Sequence, residues 1–248
     1  MISLGKAKNH VDLVMVSFNS RSFLPGFFKS LQKNTKYPFQ LFVIDNNSID
    51  GSKAYLQTML KKKFFNKKMK LTINRKNIGL AKAWNKAITF GQSEYIVFLN
   101  PDIIFTKNWL TKLIKSADKY RKAMVVGVKV LNPDGAIYHA GAISRPRGRG
   151  LQNRPGLYDR EKKLRLIQGS CFLVKRAVFA KIGKFDEQFF VYGEEADFCR
   201  RVRKAGFHVL YSPVPIYHFR HGSEISSQKR LQLRKTSAKL LKNKWSKK

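Results

Sequence analysis

The sequence predicts an α/β protein built on a mostly parallel sheet that is flanked by helices. Stretches rich in β-branched and aromatic residues alternate with stretches of helical spacing from about residue 11 to residue 131, which is typical of consecutive βαβ units. The connections are short, which favours right-handed crossovers. The run Tyr95–Leu99 is apolar throughout, which indicates a strand buried on both faces in the middle of the sheet.

The first 131 residues contain five predicted strands and four predicted helices. The strands are Val11–Phe18, Gln40–Ile44, Lys70–Asn74, Tyr95–Leu99 and Met124–Leu131. The helices run over about Arg21–Lys33, from the Asp50–Ser52 turn to Lys63, over Leu80–Phe90 and over Lys107–Tyr120. Because the carboxyl ends of parallel strands meet at one edge, three strand ends should gather there: Ser17–Asn19, Asp45–Asp50 and Asn100–Asp102. A carboxylate after a strand is also a common turn former or helix cap, but this clustering favours a functional site.

The region from residue 132 onward has a different pattern of elements. It begins with a predicted turn at Asn132–Gly135, a strand at Ala136–Ile143 that contains His139, and a long mobile loop at Ser144–Glu161. A strand at Leu164–Val174 and a helix at Arg176–Ile182 follow. The last predicted elements are a helix from Glu194 to about Ala205, a strand at His208–Ser212 and a basic closing helix. Long loops inside compact domains are usually functional or disordered. We divide the chain after residues 131 and 223, with the basic helix over residues 224–248.

Three acids within four residues open the helix at Glu194, namely Glu194, Glu195 and Asp197. Carboxylates in a first helical turn complement the helix dipole, so capping alone is one interpretation. The chain has only fifteen Asp and Glu residues among 248. That scarcity makes the cluster a candidate functional site.

The formal net charge of +35 comes from fifty Lys and Arg residues against fifteen Asp and Glu residues. It fits three interpretations: nucleic-acid binding, attachment to an anionic membrane, and a lysine-rich bias that only decorates the surface. The basic residues are spread along the whole chain, which favours the general bias. In the closing helix, the apolar residues predict packing on the protein, with a membrane-surface helix as the alternative. These apolar residues are Leu233, Leu240, Leu241 and Trp245.

Composition argues against several classes of protein. No apolar run approaches the roughly 18 residues that span a bilayer, and residues 1–10 lack the apolar segment of a signal peptide. Cys171 and Cys199 have neither metal-ligand spacing nor a disulfide pattern, which predicts reduced thiols in the core. We therefore expect a cytoplasmic protein, with peripheral contact at the inner face of an anionic membrane as an open alternative.

Five motifs, in order between about Val11 and Ser223, resemble the family-two glycosyltransferases of the GT-A fold, most closely their rhamnosyltransferase-like branch. The motifs are Val16–Asn19, Val43–Ser48 with Asp50–Ser52, Asn77–Ala81 with Asn85, Leu99–Asp102, and Phe185–Glu187 to Tyr192–Asp197 with Arg201. The resemblance implies a Rossmann-like sheet with a smaller acceptor-side region. Residues 1–131 would bind the nucleotide sugar, and residues 132–223 would be the acceptor-binding and catalytic half of the same domain.

The resemblance further implies an inverting transfer from a nucleoside-diphosphate sugar to a glycan or lipid-linked acceptor, in the biosynthesis of a cell-envelope polysaccharide. A divalent cation, Mn²⁺ or Mg²⁺, would neutralise the leaving diphosphate. Asp102 and His218 are its implied ligands, and His221 is a rival at the same turn. Asn100 stands where many relatives have an acid. The implied donor-binding residues are Ser17, Phe18, Asn19, Asp45, Asp50, Asn77, Gly79, Asn85 and Asn100.

An inverting transfer needs a general base beside the acceptor hydroxyl, and the resemblance implies Glu195. The family usually has aspartate there, so Glu195 is a departure, with an arm one methylene longer. Glu194 and Asp197 complete the implied catalytic group, although Asp197 and Arg201 also suit bracing of the helix or phosphate binding. The loop Arg145–Arg160 falls on the acceptor side, where its charge would suit a phosphate-bearing acceptor.

Two alternatives remain at this point. A nucleic-acid-binding protein would account for the charge of +35, but carboxylates at strand ends repel phosphate unless a metal intervenes, which makes nucleic acid an unfavoured partner. A catalytically inactive homologue that still binds nucleotide sugar is compatible with Asn100 and Glu195.

Overall fold

A computed structural model describes residues 10–62, 68–142, 148–219 and 226–246. In these residues the strands are β1 (Val11–Ser17), β2 (Phe39–Asp45), β3 (Met69–Ile73), β4 (Tyr95–Leu99), β5 (Ile103–Phe105), β6 (Ala123–Leu131), β7 (Ile137–His139), β8 (Lys162–Leu164), β9 (Cys171–Lys175) and β10 (His208–His218). The helices are α1 (Leu24–Asn34), α2 (Ser52–Lys61), α3 (Leu80–Ile88), α4 (Trp109–Lys119), α5 (Ala177–Ile182), α6 (Glu194–Lys204) and α7 (Ser227–Ser246). The predicted elements of the first half are all present, and β5 is an addition to them.

The strands form one ten-stranded sheet with the central path β3–β2–β1–β4–β9–β6–β10–β5. β1 pairs in parallel with β2 and β4, and β2 pairs in parallel with β3. β10 is parallel to β6, whereas β9 lies between β4 and β6 and runs antiparallel to both. The predicted α/β class with a mostly parallel central sheet is confirmed, and the carboxyl ends of β1, β2 and β4 meet at one edge.

Apolar layers cover both faces of the sheet. α1, α2 and α4 pack on one face, and α3, α5 and α6 pack on the other. In the second layer, the ring of Phe172 from β9 stacks on Phe98 from β4 with 5.0 Å between centroids, and Trp84 of α3 lies 5.4 Å from Phe172. Such aromatic pairs add about 0.5–1.5 kcal/mol each beyond the area they bury. β9 is buried on both faces because it lies in the middle of the sheet between the two apolar layers.

The predicted strand Leu164–Val174 is in fact two strands, β8 and β9. A turn at Gln168–Ser170 separates them, and in it Ser170 N donates to Gln168 Oε1 at 2.7 Å. A side chain that satisfies a nearby backbone donor stabilises a turn in place of a continuous ladder. Within the described part of the predicted strand Ala136–Ile143, only the residues of β7 form a strand, so this strand is shorter than predicted.

The predicted strand His208–Ser212 was also wrong in extent, because β10 continues to His218 through Pro213 and Pro215. The register against β6 shifts between Tyr211 and Pro215. A bulge tolerates proline because it leaves a residue without a ladder partner. The extension brings the end of β10 to β5, directly after Asp102.

The described part of the loop that follows β7 is held by Lys129, which is buried on β6. Its Nζ donates to Asp159 Oδ1 and Leu157 O at 2.7 Å each and to Asn153 Oδ1 at 3.1 Å. The hydrogen bond from Lys129 holds the pKa of Asp159 below its ordinary value. A buried ammonium is tolerated when its donors are satisfied, so residues 148–161 of the loop predicted as mobile are anchored. Residues 144–147 lie outside the described residues.

Two predictions about the whole molecule can be followed in the fold. Cys171 and Cys199 are buried and unpaired, which agrees with core thiols. Within the described ranges, no helix combines the length and the apolarity needed to cross a bilayer.

Candidate active site

A cavity of about 490 Å³ opens at the carboxyl edge of the sheet. The ends of β1, β4 and β10, the starts of α3 and α6, and one side of α7 contribute to its wall. The predicted site residues that line it are Phe18, Asn77, Gly79, Asn100, Asp102, Glu194, Glu195 and His218. The predicted site residues outside its lining are Ser17, Asn19, Asp45, Asp50, Asn85 and Asp197. Carboxylates from distant parts of the chain therefore share one space.

One wall of the cavity is held together by the side chain of Asn46, which the predicted donor set omits. Its Nδ2 donates to Asn77 Oδ1 at 3.0 Å and to Gly79 O at 3.2 Å, and its Oδ1 accepts from Asn74 Nδ2 at 2.9 Å. These bonds tie the end of β2 to the segment that enters α3. Asn46 lines the cavity itself, and its position in the Asp45–Ser48 motif was the signal that could have identified it.

Asp45 and Asp50 support the loops behind this wall. Asp45 accepts from Ser48 N at 2.9 Å and from Ser48 Oγ at 2.6 Å, and Asp50 accepts from Arg21 N at 2.8 Å and from Ser52 N at 3.0 Å. Burial would raise the pKa of Asp50, but these hydrogen bonds outweigh it and hold the pKa below its ordinary value. Both carboxylates have protein partners, and their contacts with a donor stay predictions.

Three further residues of the predicted donor set have structural surroundings. Ser17 is fully buried in β1. Asn19 Oδ1 accepts from Ile49 N at 3.0 Å. Asn85 forms a reciprocal pair with the backbone of Phe185, at 2.8 Å through its Nδ2 and at 2.9 Å through its Oδ1. These contacts join segments of the fold, and the donor-binding roles of the three residues stay predictions.

Gly79 places the segment that leads into α6. Its φ is +82°, and a Cβ atom there would lie 2.7 Å from Phe190 O. Leu80 N donates to the same Phe190 O at 2.6 Å. Glycine is required because it alone permits both the left-handed backbone and this close approach. The contact sets the position of Phe190–Tyr192, and through it the start of the helix that contains Glu195.

Asp102 and His218 form the candidate metal site. Both are buried, and His218 Nε2 lies 3.2 Å from Asp102 Oδ1. Phe219 N donates to Asp102 O at 2.9 Å, which joins the end of β10 to the turn after β4. Asn100 N donates to Ser170 O at 2.8 Å, so the same turn is also joined to the start of β9.

The residues present fit a divalent cation. The carboxylate oxygen suits Mn²⁺ or Mg²⁺, which keep several positions for water and phosphate oxygens, and the imidazole nitrogen beside it suits a transition-metal ion such as Mn²⁺ better than Mg²⁺. In the described residues, no three His, Cys, Asp or Glu side chains form a complete metal cage, and His221 lies outside those residues. The remaining ligands would therefore come from a bound diphosphate.

Glu194 and Glu195 at the start of α6 have the surroundings of reactive carboxylates. Oε2 of each is buried without a hydrogen-bond partner in the described residues. Burial, and after it the charge of Glu195, raises the pKa of Glu194 well above its ordinary value. Burial also raises the pKa of Glu195, although backbone N–H groups of the first turn oppose the rise. A carboxylate with a raised pKa in a cavity can accept a proton near neutral pH.

Asp197, two residues further along α6, contacts α7. Its Oδ2 accepts from Arg201 Nε at 2.8 Å and its Oδ1 from Trp245 Nε1 at 3.0 Å, with Lys244 Nζ at 2.8 Å from the same Oδ1. Lys244 also lies 2.6 Å from Asp186 Oδ2. The geometry agrees with the bracing interpretation of Asp197 and Arg201, and a catalytic role for Asp197 stays a prediction.

Helix α7 forms one side of the cavity, which the sequence did not indicate. Arg230, Leu233 and Arg234 line it, and Ser237 Oγ donates to Val191 O at 2.7 Å. The sequence predicted packing of this helix from its apolar residues, whereas cations and a serine make much of the contact. Only the tertiary structure reveals that these arginines belong to the site.

Comparisons of the sequence with known proteins identify a family and its relatives. The family described as Glycosyl transferase family 2 matches residues 12–183. An N-acetylglucosaminyl-diphospho-decaprenol L-rhamnosyltransferase of Mycobacterium tuberculosis is 25% identical over 242 residues, which cover 85% of this chain and 76% of that protein.

Two solved structures share the fold. GalNAc-T7 with UDP, GalNAc and Mn²⁺ has a TM-score of 0.72 at 19% identity, over 96% of this chain and 48% of that one. The mannosyltransferase PcManGT from Pyrobaculum calidifontis, in complex with GDP-Man and Mn²⁺, has a TM-score of 0.65 at 15% identity, over 84% of this chain and 56% of that one. The chain spans about half the length of these structures, and at such identities the likeness shows the fold alone.

Proposed function

The chain belongs to glycosyl transferase family 2, and we propose that it transfers a sugar, with inversion, from a nucleoside-diphosphate sugar to a hydroxyl of a glycan or lipid-linked acceptor. The predicted family, its rhamnosyltransferase-like branch and the GT-A type of α/β fold are confirmed by the family match, the mycobacterial relative and the solved structures. A polyanion-binding protein is thereby set aside as the explanation of the sequence.

The observation that supports the mechanism best is the shared cavity. Asp102 with His218, and Glu194 with Glu195, lie in the wall of one space of about 490 Å³. Such a space accommodates a nucleotide sugar at one end and an acceptor hydroxyl at the other. In open α/β sheets, ligands usually bind at the carboxyl ends of the strands, where these polar groups lie.

The donor side of the cavity includes Phe18, Asn46 and Asn77. The nucleotide would lie along this wall, where the hydrogen-bonded Asn46 keeps the surface rigid. A rigid wall lowers the entropy lost when the ligand binds. The diphosphate would then reach Asp102 and His218, which would hold the cation. A bound Mn²⁺ or Mg²⁺ would act there as a Lewis acid that neutralises the departing diphosphate.

Glu195 would act on the acceptor. As the acceptor oxygen bonds to the anomeric carbon and the bond from that carbon to the diphosphate breaks, the hydroxyl proton passes to Glu195. Burial raises the pKa of Glu195, and a carboxylate with a raised pKa is a better base than an exposed one. Burial and the charge of Glu195 raise the pKa of Glu194 well above its ordinary value, which favours the neutral form of Glu194 beside the base.

A binding experiment tests the donor and metal parts of this proposal. We expect UDP, GDP, CDP or dTDP with Mn²⁺ to raise the melting temperature, since a ligand at about 100 times its Kd stabilises by about 2.7 kcal/mol. Asp102→Asn should lose the part of the rise that requires Mn²⁺. Glu94→Gln is the matched control, because it removes one carboxylate charge at the opposite end of β4, where Glu94 is exposed.

The outcome that contradicts the proposal is also defined. If none of the four nucleotides raises the melting temperature, or if Asp102→Asn responds to Mn²⁺ as the unaltered protein does, the site is assigned wrongly. Hydrolysis of the corresponding nucleotide sugar without acceptor then separates an active transferase from an inactive homologue, because only the active one releases the nucleoside diphosphate. Cytoplasmic location and contact with an anionic membrane stay predictions.

A further inference from the structure

Helix α7 presents one stripe of residues to the rest of the molecule. Arg230, Leu233, Arg234 and Ser237 have the spacing i, i+3, i+4, i+7 that places side chains on one helical face. The first three line the cavity, and the fourth is hydrogen-bonded to Val191. The two guanidinium groups are therefore part of the wall rather than members of a loose basic tail.

The orientation of this stripe is determined by contacts at its far end. Lys244 and Trp245 both bind the fully buried carboxylate of Asp197, and Lys244 also pairs with Asp186. Near the cavity, the guanidinium of Arg234 lies 5.1 Å from the centre of the Tyr192 ring. Each of these contacts limits rotation of α7, so the arginines are held in place before any ligand binds.

A third arginine reaches the same cavity from the loop after β7. Arg149 lines it, and its guanidinium lies 5.2 Å from the centre of the Tyr138 ring. The wall thus combines three arginines with the carboxylates of Asp102, Glu194 and Glu195. Guanidinium groups match the geometry of phosphate oxygens and bind them through paired hydrogen bonds.

We propose that Arg230 and Arg234, assisted by Arg149, bind the diphosphate of a lipid-linked acceptor. The proposal rests on the proposed function and names the acceptor's charged group. Arg234 lies on the side of the general base, since it contacts Tyr192, three residues before Glu195. Arg149 approaches from the side of His218, because the ring of its partner Tyr138 lies 6.4 Å from the His218 ring. The expected donor wall is formed instead by the ends of β1 and β2, with Asp102 and His218 next to the donor diphosphate.

Apolar side chains beside the arginines suit the lipid part of such an acceptor. Phe190 lines the cavity and is 44% exposed, and Leu231, next to Arg230, is 54% exposed. Exposed large apolar residues beside a charged rim are typical of a surface that contacts an amphipathic ligand. A neutral glycan acceptor carries no charge to pair with the guanidinium groups.

Binding of geranyl diphosphate, measured by calorimetry without nucleotide, tests the proposal. The double variant Arg230→Gln/Arg234→Gln should weaken this binding by about tenfold or more, because charge-assisted hydrogen bonds are lost. The Kd of the nucleoside diphosphate that binds best should change less than about twofold. The matched control is Lys235→Gln/Lys239→Gln, which removes the same charge from exposed positions of α7 that do not line the cavity. It should leave both affinities unchanged.

Each other outcome overturns the proposal. Unchanged binding of geranyl diphosphate by the arginine variant would exclude these residues as the diphosphate site. An equal loss of nucleoside-diphosphate affinity would assign the arginines to the donor, and an equal loss in the lysine variant would indicate attraction by net charge alone. Failure of the unaltered protein to bind any nucleoside diphosphate would count against the proposed function. Failure of the unaltered protein to bind geranyl diphosphate, while it still binds a nucleoside diphosphate, would count only against the acceptor site.

Discussion

Replacement of Glu195 by glutamine isolates the chemistry of the proposed base. The two side chains have nearly the same shape, and the carboxylate lies near Gly169, where an added Cβ atom would be 3.5 Å from Glu195 Oε1. Glutamine fits this space, but it cannot accept a proton. The variant therefore changes the proton transfer while it leaves the walls of the cavity in place.

The expected loss of rate follows from the role of the residue. A positioned general base contributes about 10²–10⁴-fold to a rate, which corresponds to about 3–5 kcal/mol of activation free energy. Burial raises the pKa of Glu195, which makes its carboxylate a stronger base than an exposed glutamate. Because only the ionised form accepts a proton, kcat/KM of the unaltered enzyme should rise with pH through that raised pKa.

The assay compares initial rates of transfer across pH with nucleoside-diphosphate affinity. Glu195→Gln should lose the transfer and keep the affinity, and Glu195→Asp should recover part of the rate because it restores a carboxylate. Glu194→Gln is the informative comparison. The pKa of Glu194 is raised well above its ordinary value by burial and by the charge of Glu195, so its protonated form resembles glutamine. Glu195→Gln should therefore be slower than Glu194→Gln by about 100-fold or more.

Two results would refute this reasoning. Transfer by Glu195→Gln at the rate of the unaltered enzyme would exclude Glu195 as the base. A greater loss in Glu194→Gln than in Glu195→Gln would exchange the roles of the two carboxylates. A loss of nucleoside-diphosphate affinity in Glu195→Gln would mean that the substitution disturbed the cavity rather than the proton transfer.

Three further predictions concern stability and placement. Because the pKa of Glu194 is raised, the folded protein loses stability as pH rises from the ordinary glutamate range. The melting temperature of Glu194→Gln should therefore exceed that of the unaltered protein by a margin that grows from about pH 5 to about pH 8. A margin that shrinks over this range would contradict the prediction. Gly79→Ala should lower the free energy of unfolding, measured with denaturant, by about 1–3 kcal/mol. The loss should exceed that of Gly183→Ala, because both glycines have positive φ but of the two only Gly79 lies against a backbone oxygen. Equal losses would exclude the contact with Phe190 as the reason. Asp197→Asn should cost about 3 kcal/mol and expose α7 to hydrogen exchange; unchanged protection of α7 would exclude its anchoring by Asp197.

Much of the fold could be predicted because each strand of the first half is a buried apolar run with a turn signal after it. The order of the strands could not be predicted in the same way. The run Cys171–Lys175 indicates a strand, but its place between β4 and β6 depends on contacts between its side chains and those of distant strands and helices. The stacking of Phe172 on Phe98 is a contact between residues far apart in sequence, and no local pattern reports it.

The lining of the cavity was predictable where a residue follows a strand end or belongs to a motif, as for Asp102 and Glu195, and the roles of both residues stay predictions. It was not predictable where the role depends on packing. Asp45 has the residue type expected of a donor contact, yet its carboxylate is occupied by Ser48. Asn46, next to it, lines the cavity. Arg230 and Arg234 resembled any other basic residue until α7 was placed against the start of α6.

The contrast between Glu195 and Asp197 explains why composition alone does not distinguish the proposed base from its acidic neighbours. The two residues are about 200° apart around the helix, so one can enter the cavity while the other contacts Arg201, Lys244 and Trp245. A net charge of +35 would by itself favour ionised acids. The pKa of Glu195 is nevertheless raised, because charges beyond about 10 Å are screened by salt whereas burial acts on the carboxylate directly. Asp197 is fully buried as well, but Arg201, Trp245 and Lys244 hold its carboxylate, whereas Oε2 of Glu195 has no hydrogen-bond partner in the described residues. Burial together with the lack of such a partner therefore distinguishes the proposed base from its neighbour, and the excess of surface lysine does not.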